Sequence, residues 1–312
     1  MNIAWDQEIK KHYQPQLNGG GLFLQSSGWA DFQKSLGRDV FFIDSDNFLG
    51  ALFGYRLPLR QSYLYCPRGP IQKKEGSIDD FLKKAKKINQ GIFLKIEPTF
   101  SGFKKEDLKK SDKAVQPQKS LVLDLSLNQD ELLGQMHQKT RYNIRLSQKK
   151  DVEIEFLKEV SDENLNEFWE LNKKTTQRDK FKSHDKAYYQ KMLKALGPQE
   201  MAELVLVRHK NQVVSAAVLI YFNQTATYLH GASDHQFRKL MANHFMQWAS
   251  ILRAQNKGCL FYDFWGIDES KWPGITRFKR GFGGYEVNYS DCWDFVFHPF
   301  WYRLYNLVRR IL

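Results

Sequence analysis

Residues 202–233 constrain the fold most strongly, because they hold three apolar runs separated by two very short turns. The stretch is AELVLVRHKNQVVSAAVLIYFNQTATYLHGAS, and its β-branched and aromatic residues favour strands. Turn signals lie near Lys210-Asn211 and Asn223-Gln224. Turns this short join neighbouring antiparallel strands, so the stretch predicts an antiparallel meander.

Helices are predicted on both sides of this meander. They lie at 128–150, 161–179, 187–197 and 238–258. Asn128 and Glu131 are spaced like a capping box at the start of the first helix, and a strand at 259–266 follows the last. The order helix, helix, antiparallel strands, helix, strand is that of GNAT-type acyltransferases, in which a helix joins the meander to a parallel strand.

The first third of the chain has a looser version of the same order. We therefore predict an α/β (α+β) fold of two GNAT-like acyltransferase lobes, with mixed, mostly antiparallel sheets flanked by helices. The lobes are predicted at residues 1–122 and 123–297, and the helix 298–312 is expected to pack back on the first lobe. The lysine-rich stretch 103–119 is predicted as a surface helix and loop, and 290–297 as a strand.

The charge balance favours a polyanionic partner. The chain has 47 Lys and Arg against 35 Asp and Glu, a formal net charge of +12. Nucleic acid, an anionic membrane surface and a phosphorylated substrate all fit this excess, and solvated surface lysines are the plain alternative. Only three cysteines occur, far apart, which argues against a disulfide framework or a zinc site.

Two further absences bear on location. The N-terminal residues MNIAWDQEIKKHYQ contain no apolar core of a signal peptide. No stretch approaches the about 20 apolar residues that span a bilayer. We therefore expect a cytoplasmic protein.

The segment before the helix at 238–258 argues against coenzyme A as the acyl donor. GNAT enzymes bind its pyrophosphate in a glycine-containing loop whose N–H groups point at the phosphates. Here the sequence is DHQFRKLMANHF, without glycine, and the side chains of Leu240, Met241 and Ala242 would obstruct a close approach.

The segment 274–284, GITRFKRGFGG, combines four glycines with three cations. It lacks the order of a Walker A loop. We expect a glycine-punctuated loop after the strand 259–266, at the open end of the second lobe. Lys279 would there stabilise an oxyanion or a phosphate, and the alternative is a surface lysine in a basic hairpin.

The ordered set of such segments resembles the Fem (FemA/FemB/FemX) family of tRNA-dependent aminoacyltransferases. The segments that carry the resemblance are LQSSGWADFQKSLGRDV, YLYCPRGPI, FLKIEP, KSLVLDLS, ELLGQMHQKTRYNIRLSQKKDVEIEF, TTQRDKF, YLHGASD, FYDFWGI and GITRFKRGFGG. The chain is similar to compact members without the helical arm. The resemblance implies transfer of an amino acid from aminoacyl-tRNA to an amine of the peptidoglycan stem peptide, carried on lipid II or on its UDP-linked precursor. It implies no metal or organic cofactor, because the ester is already activated.

Within this resemblance, Lys279 and Phe278 match the family's Phe-Lys pair at the reacting ester. The cation would stabilise the tetrahedral oxyanion. Arg178 in TTQRDKF is similar to the arginine that holds the substrate phosphates, and pairing with Asp179 is its alternative. Gln33 stands where the family often has a phosphate-binding lysine, and the next residue, Lys34, is a possible substitute.

Four further residues are candidates by the same resemblance. Glu97 matches an acidic position near the acceptor amine, with a strand-end carboxylate in water as the alternative. His230 falls where tyrosine often lines the substrate channel, and a satisfied strand histidine is the alternative. Tyr188 and Arg68 complete the predicted substrate-binding set.

Two basic or amphipathic segments leave alternatives open. The segment 137–150 could meet tRNA phosphates or form a solvated face. The helix 298–312 combines aromatic residues with arginines, which suits a membrane interface as well as docking on the first lobe. Competing functions are an N-acyltransferase with another acyl donor, such as acyl-CoA, and a non-catalytic binder of nucleic acid or membrane surfaces.

Overall fold

The computed structural model describes residues 2–88, 91–99 and 108–311. The chain divides into two compact units. The first contains the described residues of Met1–Gln14, Leu24–Gln118 and Asn288–Leu312, and the second contains Pro15–Phe23 and Lys119–Val287.

The helices and strands alternate irregularly along the chain. The helices are α1 Ile3–Lys11, α2 Pro15–Asn18, α3 Ser27–Ser35, α4 Asp79–Ile88, α5 Gln129–Gln135, α6 Gln138–Gln148, α7 Asp162–Asp179, α8 Lys186–Leu196, α9 Ala242–Asn256, α10 Pro273–Arg280 and α11 Pro299–Ile311. The strands are β1 Val40–Asp44, β2 Phe48–Arg56, β3 Ser62–Cys66, β4 Ile71–Gln72, β5 Phe93–Ile96, β6 Leu108–Lys110, β7 Lys119–Asp124, β8 Glu153–Leu157, β9 Ala202–His209, β10 Gln212–Phe222, β11 Thr225–Ser233, β12 Phe261–Gly266, β13 Tyr285–Asn288 and β14 Trp293–Val296.

The sheet of the second unit contains the predicted meander. Its strand order is β13-β7-β12-β11-β10-β9-β8. β9, β10 and β11 pair antiparallel through the predicted turns, and β12 joins β11 in parallel. This arrangement confirms the predicted mixed, mostly antiparallel sheet. Its core is formed by the apolar faces of these strands and of α9, which contributes Met246 and Ile251.

The sheet of the first unit has the order β1-β2-β3-β5-β14-β6, and β4 pairs with β2. β3 and β5 are parallel, and the other pairs are antiparallel. A buried ion pair joins β5 to β14, since Lys95 Nζ lies 2.7 Å from Asp294 Oδ1. The Tyr302 hydroxyl of α11 donates to the same carboxylate at 2.9 Å. α11 is thereby fixed to the first unit, where Tyr302 also packs on Phe93.

The strand order adds detail that residue patterns did not give. β14 pairs with β5 and β6 of the first sheet, whereas the predicted boundary would assign it to the second lobe. The apolar alternation of a short strand specifies one buried face and does not specify which sheet it joins. Likewise β6 occupies 108–110 of the stretch predicted as helix and loop, and residues 103–107 of that stretch lie outside the described residues.

Two local predictions were wrong. The segment 128–150 is two helices, because Met136 is extended and buried and His137 caps α6. The segment 274–284 is largely helix α10, which starts at Pro273 in the first turn, where proline is well tolerated. Three of the four glycines that suggested a loop follow the last residue of this helix, and among them Gly283 and Gly284 have φ of 86° and 89°.

Gly284 gives a test of this turn. A Cβ at this position would lie 2.4 Å from the Val122 carbonyl oxygen, and the positive φ would strain an alanine. We expect Gly284→Ala to lower the free energy of unfolding by about 2 kcal/mol or more in denaturant titrations. The matched control is Gly134→Ala in α5, where a Cβ would contact nothing within 4 Å. It should raise stability by about 0.5–1 kcal/mol, and equal effects of the two changes would contradict this description.

Candidate active site

The candidate site of the second unit begins with a β-bulge in β12. Asp263 pairs with Val122 and Gly266 with Ser120, so β12 advances three residues where β7 advances two. Trp265, inside the bulge, has a φ of 60°, which is strained for a bulky side chain. Bulges of this kind redirect backbone groups out of the ladder. Here the redirected carbonyls of Trp265 and Gly266 face a lysine.

That lysine is Lys279, on the buried side of α10 next to Thr276. Its Nζ donates to the Gly266 carbonyl oxygen at 2.6 Å and lies 3.5 Å from that of Trp265. The side chain is only 7% exposed. Burial lowers the pKa of Lys279 to about 8, and the Asp263 carboxylate opposes this shift. An ammonium has three donors, and beyond these two carbonyls its described neighbours include the Tyr228 ring, whose centroid lies 5.9 Å from Nζ, but no third hydrogen-bond acceptor.

Asp263 holds the bulge in place. This buried carboxylate accepts hydrogen bonds from the backbone N–H groups of Trp265 and Gly20, each at 2.6 Å, and from the Ser120 hydroxyl. Gly20 approaches so closely that a Cβ there would lie 2.2 Å from Thr227 Oγ1. A buried charge of this kind is tolerated because several donors replace its lost hydration.

α10 also lines a cleft with a volume of about 910 Å³, which includes Thr276 from its buried side. Its lining residues come from α6, α9 and the region of α10: His137, Lys139, Thr140, Asn143, His244, Glu269, Pro273, Gly274, Thr276, Arg277, Phe278, Arg280 and Gly281. Lys139 and Arg277 are exposed there. The cleft therefore offers cations beside the helix that carries Lys279.

Phe278 and His244 form part of the cleft wall, with ring centroids 5.1 Å apart. Burial and the nearby Lys139 lower the pKa of His244 to about 4, so its imidazole is neutral at pH 7. Nε2 lies 3.2 Å from the Asn143 amide nitrogen and accepts from it, which leaves the proton on Nδ1. The wall is thus aromatic and uncharged, and the cations lie around it.

Arg178 ends α7 and is already engaged. Its guanidinium donates twice to the Asp179 carboxylate, at 2.7 Å each, and once to the Ser233 carbonyl oxygen at 2.9 Å. The hydrogen bonds to Asp179 raise the pKa of the Arg178 guanidinium. The alternative foreseen from the sequence, pairing with Asp179, is therefore present, and a phosphate-binding role stays a prediction.

Tyr188 and His230 lie near each other, with ring centroids 6.5 Å apart. Tyr188 stacks on His184 at 3.6 Å. Burial lowers the pKa of His230 to about 3, which makes a neutral ring at physiological pH. His230 thus cannot bind an anion through charge, although it can line a channel.

Glu97 of the first unit is buried rather than in water. Its carboxylate accepts hydrogen bonds from the Tyr65 hydroxyl and from the backbone N–H groups of Val115, at 2.5 Å, and Gln116, at 3.1 Å. The solvated alternative is wrong for this residue. Whether it contacts an acceptor stays a prediction.

The other candidates of the first unit have unequal access to solvent. Gln33 is buried and accepts a hydrogen bond from Arg38, whereas Lys34 is exposed, 3.7 Å from Asp31. Arg68 is buried, lies 3.4 Å above the Tyr289 ring and donates to the Pro117 carbonyl oxygen at 2.7 Å. Of these, Lys34 is the exposed cation, and its ion-pair partner Asp31 lies on the same helix.

Sequence reasoning missed Asp263, His244 and Asn143. Asp263 had a signal, since it is the one carboxylate inside the apolar run FYDFWG. His244 and Asn143 had none, because they are more than ninety residues apart and meet only when α6 and α9 pack together. In the part of the chain that the structure describes, no helix is long and apolar enough to cross a membrane. No cluster of three or more His, Cys, Asp or Glu suited to a metal ion occurs there either.

Comparisons with known proteins place this geometry in context. The model of the FemAB family matches residues 99–210 and 198–310. A lipid II:glycine glycyltransferase of Staphylococcus aureus (strain MRSA252) is 24% identical over 395 residues, covering 94% of this chain and 92% of that protein. The crystal structure of FemX matches with a TM-score of 0.82 at 22% identity, over 97% of this chain and 98% of that one. A tandem GNAT protein from the clavulanic acid biosynthesis pathway matches with a TM-score of 0.50 at 12% identity, over 82% of each chain. The last two confirm the predicted GNAT-like fold.

The burial of Lys279 predicts a pH effect on stability. Its pKa is lowered from 10.5 to about 8 in the folded chain. Between these values the unfolded state binds more protons, so the free energy of unfolding should rise with pH. Denaturant titrations at about pH 7.5 and about pH 10 should show wild type gaining stability relative to Lys279→Met.

The control is Lys271→Met, which removes an exposed lysine 3.4 Å from Asp268. It should follow wild type across the range. A wild-type stability that stays constant relative to Lys279→Met would contradict the buried ammonium.

Proposed function

This chain belongs to the FemAB family, and we propose that it transfers an amino acid from aminoacyl-tRNA to an amine of the peptidoglycan stem peptide. The protein is an aminoacyltransferase. Relatives named lipid II:glycine glycyltransferase support a bridge-forming reaction on a peptidoglycan precursor, either lipid II or a UDP-linked form. The observation that carries the proposal is the buried Lys279 ammonium, held by the carbonyls of a β-bulge.

The proposed chemistry needs one well-placed cation. The acceptor amine attacks the ester carbonyl, a C–N bond forms, and negative charge develops on the carbonyl oxygen. Lys279 stabilises this oxyanion with its remaining donor, in a site of low dielectric where the interaction is strong. The C–O bond to the ribose then breaks, and the proton that the attacking nitrogen loses replaces the one that Lys279 gives to the ribose oxygen. A pKa of about 8 lets the ammonium give a proton to the departing ribose oxygen near neutral pH.

The cleft beside α10 suits the 3′ end of the donor. Lys139 and Arg277 supply cations for phosphates, and the neutral wall of Phe278 and His244 offers faces on which a base can stack. Of the two roles left open for the segment 137–150, this proposal adopts contact with tRNA phosphates. Phe278 thereby belongs to the donor side of the reaction, one residue from Lys279.

The acceptor side draws on the remaining candidates. In the first unit, Lys34 and Gln33 are proposed to bind phosphate and Arg68 to line the path of the precursor. In the second unit, Arg178 is proposed to bind phosphate, and Tyr188 and His230 to line a substrate channel. Glu97 is proposed to orient the acceptor ammonium. The hydrogen bonds that both of its oxygens accept hold the carboxylate in one position, as such a role requires. Because the precursor can be lipid-linked, a peripheral contact with the membrane surface is also proposed.

The direct test supplies purified protein with radiolabelled aminoacyl-tRNA and either lipid II or the UDP-linked pentapeptide. Transfer of label to the acceptor supports the proposal. Labelling from acyl-CoA instead would support the competing function of an N-acyltransferase with another acyl donor. Binding of RNA or acceptor without turnover would indicate a non-catalytic binding protein. Met241 precedes α9 in a left-handed conformation, and we propose that its side chain obstructs the close approach that a coenzyme A pyrophosphate would need there.

Lys279→Met tests the catalytic role. We expect kcat/KM to fall about 100-fold or more while affinity for the acceptor stays near that of wild type, because the charge acts on the transition state. The wild-type rate should also decline as pH rises through about 8, when the ammonium loses its proton. Lys271→Met should retain the wild-type rate, and an unchanged rate in Lys279→Met would remove this lysine from the mechanism.

A double substitution, Lys139→Ala with Arg277→Ala, tests the donor cleft. We expect KM for aminoacyl-tRNA to rise about 10-fold or more, and the slope of log binding constant against log salt to decrease in magnitude by about 1.5–2, because two phosphate contacts are lost. KM for the acceptor should not change. Lys83→Ala with Lys87→Ala on the exposed face of α4 removes equal charge as the control. Parallel losses in both double variants would indicate only a change of net charge.

A further inference from the structure

The first unit contains a second cavity of distinct chemistry, a groove of about 460 Å³ between the β2–β3 turn and α11. Eight of its eleven lining residues are apolar or aromatic: Leu57, Pro58, Leu59, Ile92, Trp301, Leu304, Tyr305 and Val308. The other three are Gln61, Lys113 and Arg309. We call these eleven residues the terminal groove.

One side of α11 already has an apolar partner. Tyr305 lies 5.0 Å from the Phe93 ring, and Phe93 stacks on Tyr63 at 4.9 Å. The docked face therefore accounts for the helix's attachment to the unit. It does not account for Phe300 and Leu307, which are large apolar residues of the same helix and remain exposed. An amphipathic helix with an additional exposed apolar edge is typical of an interfacial contact.

The turn on the other side of the groove is strained for its sequence. Gln61 N–H donates to the Pro58 carbonyl oxygen at 3.3 Å, and the central residues Leu59 and Arg60 have φ of 57° and 56°. A turn with two positive φ values favours Asn and Gly. The chain follows that preference more closely at its other such turns, which use Lys210-Asn211 and Asn223-Gln224.

Leu59 gains nothing from burial that would offset this conformation, because it is 71% exposed. Neither turn preference nor packing therefore explains a leucine here. A strained position that presents an apolar side chain to solvent is a reason to look for a ligand.

The charges of the terminal groove indicate which ligand. Lys113 and Arg309 lie in its lining, and among the residues that the structure describes no carboxylate does. Arg60 and Arg303, on the same turn and helix, are also exposed. An apolar slot with only cations among its charged residues is complementary to an acyl chain attached to an anionic headgroup.

We propose that the terminal groove and the exposed edge of α11 form a docking face for anionic phospholipid in a bilayer, with an acyl chain in the groove and headgroup phosphates on Lys113, Arg309 and Arg60. The inference rests on the proposed function only in that a lipid-linked acceptor would lie in such a bilayer. It gives the peripheral contact a defined site and a lipid preference.

Vesicle flotation of the full chain tests the proposal without any substrate. The vesicles contain phosphatidylcholine alone or phosphatidylcholine mixed with phosphatidylglycerol. We expect binding to the anionic vesicles, weakened by salt, and about 10-fold less binding to the neutral ones. Lipids with brominated acyl chains should quench the tryptophan fluorescence of the wild-type protein. The quenched component should be missing from the fluorescence of Trp301→Phe.

Leu59→Asn separates lipid contact from folding. Asparagine tolerates the positive φ, so this variant should be at least as stable as wild type and yet bind anionic vesicles several-fold less. Val308 is 46% exposed, and Val308→Asp should bind anionic vesicles about 10-fold or more weakly than wild type. The control is Leu17→Asp, which places the same charge at an exposed leucine of the second unit.

Equal binding by wild type and both groove variants would overturn the proposal, as would equal affinity for neutral and anionic vesicles. Dimerisation in solution that Val308→Asp abolishes, without vesicle binding, would assign the face to a second copy instead. Transfer to the soluble UDP-linked acceptor does not require a membrane. A chain that transfers but does not float therefore contradicts this inference alone, and one that floats but does not transfer contradicts the proposed function alone.

Discussion

The Asp263 carboxylate is the interaction on which the rest of the candidate site depends. It lies inside the sheet of the second unit and joins three pieces of chain: β7 through Ser120, the β12 bulge through Trp265, and the segment 15–23 through Gly20. Because the bulge is held in this way, the carbonyls of Trp265 and Gly266 point at Lys279. Loss of the carboxylate would leave buried donors unpaired and release the bulge together with the lysine.

A buried ammonium held by carbonyl dipoles is costly for stability and useful for chemistry. Burial lowers its pKa, which means that the fold opposes the charge that the proposed reaction needs. Charge that develops beside it on an oxyanion would relieve this opposition, so the lysine interacts more strongly with the transition state than with the ester. The neutral His244 and the exposed cations of the cleft are consistent with the proposed reaction, in which surface cations would bind the donor and the buried Lys279 would act on the reacting ester.

Patterns confined to neighbouring residues were predictable from the sequence. The meander followed from its turn residues, and the capping box of Asn128 and Glu131 is present as expected. Features that depend on distant contacts were not predictable. The glycines after Arg280 resembled loop residues until their close approach to Gln135 and Val122 was known. β14 joins the first sheet through a buried pair 199 residues apart, Lys95 and Asp294, which neither local segment reveals. The sequence analysis placed Lys279 in a loop, whereas it lies on the buried face of a helix.

Binding of a tetrahedral phosphonate analogue of the aminoacyl ester, linked to adenosine, measures the central claim most directly. Its charged oxygen occupies the position of the oxyanion, and a planar amide-linked aminoacyl adenosine serves as the comparison ligand. Calorimetric titration should show the phosphonate binding to Lys279→Met about 100-fold more weakly than to wild type, with the planar ligand bound equally by both. Equal binding of the phosphonate to both proteins, or equal losses for both ligands, would contradict a lysine that acts on the transition state.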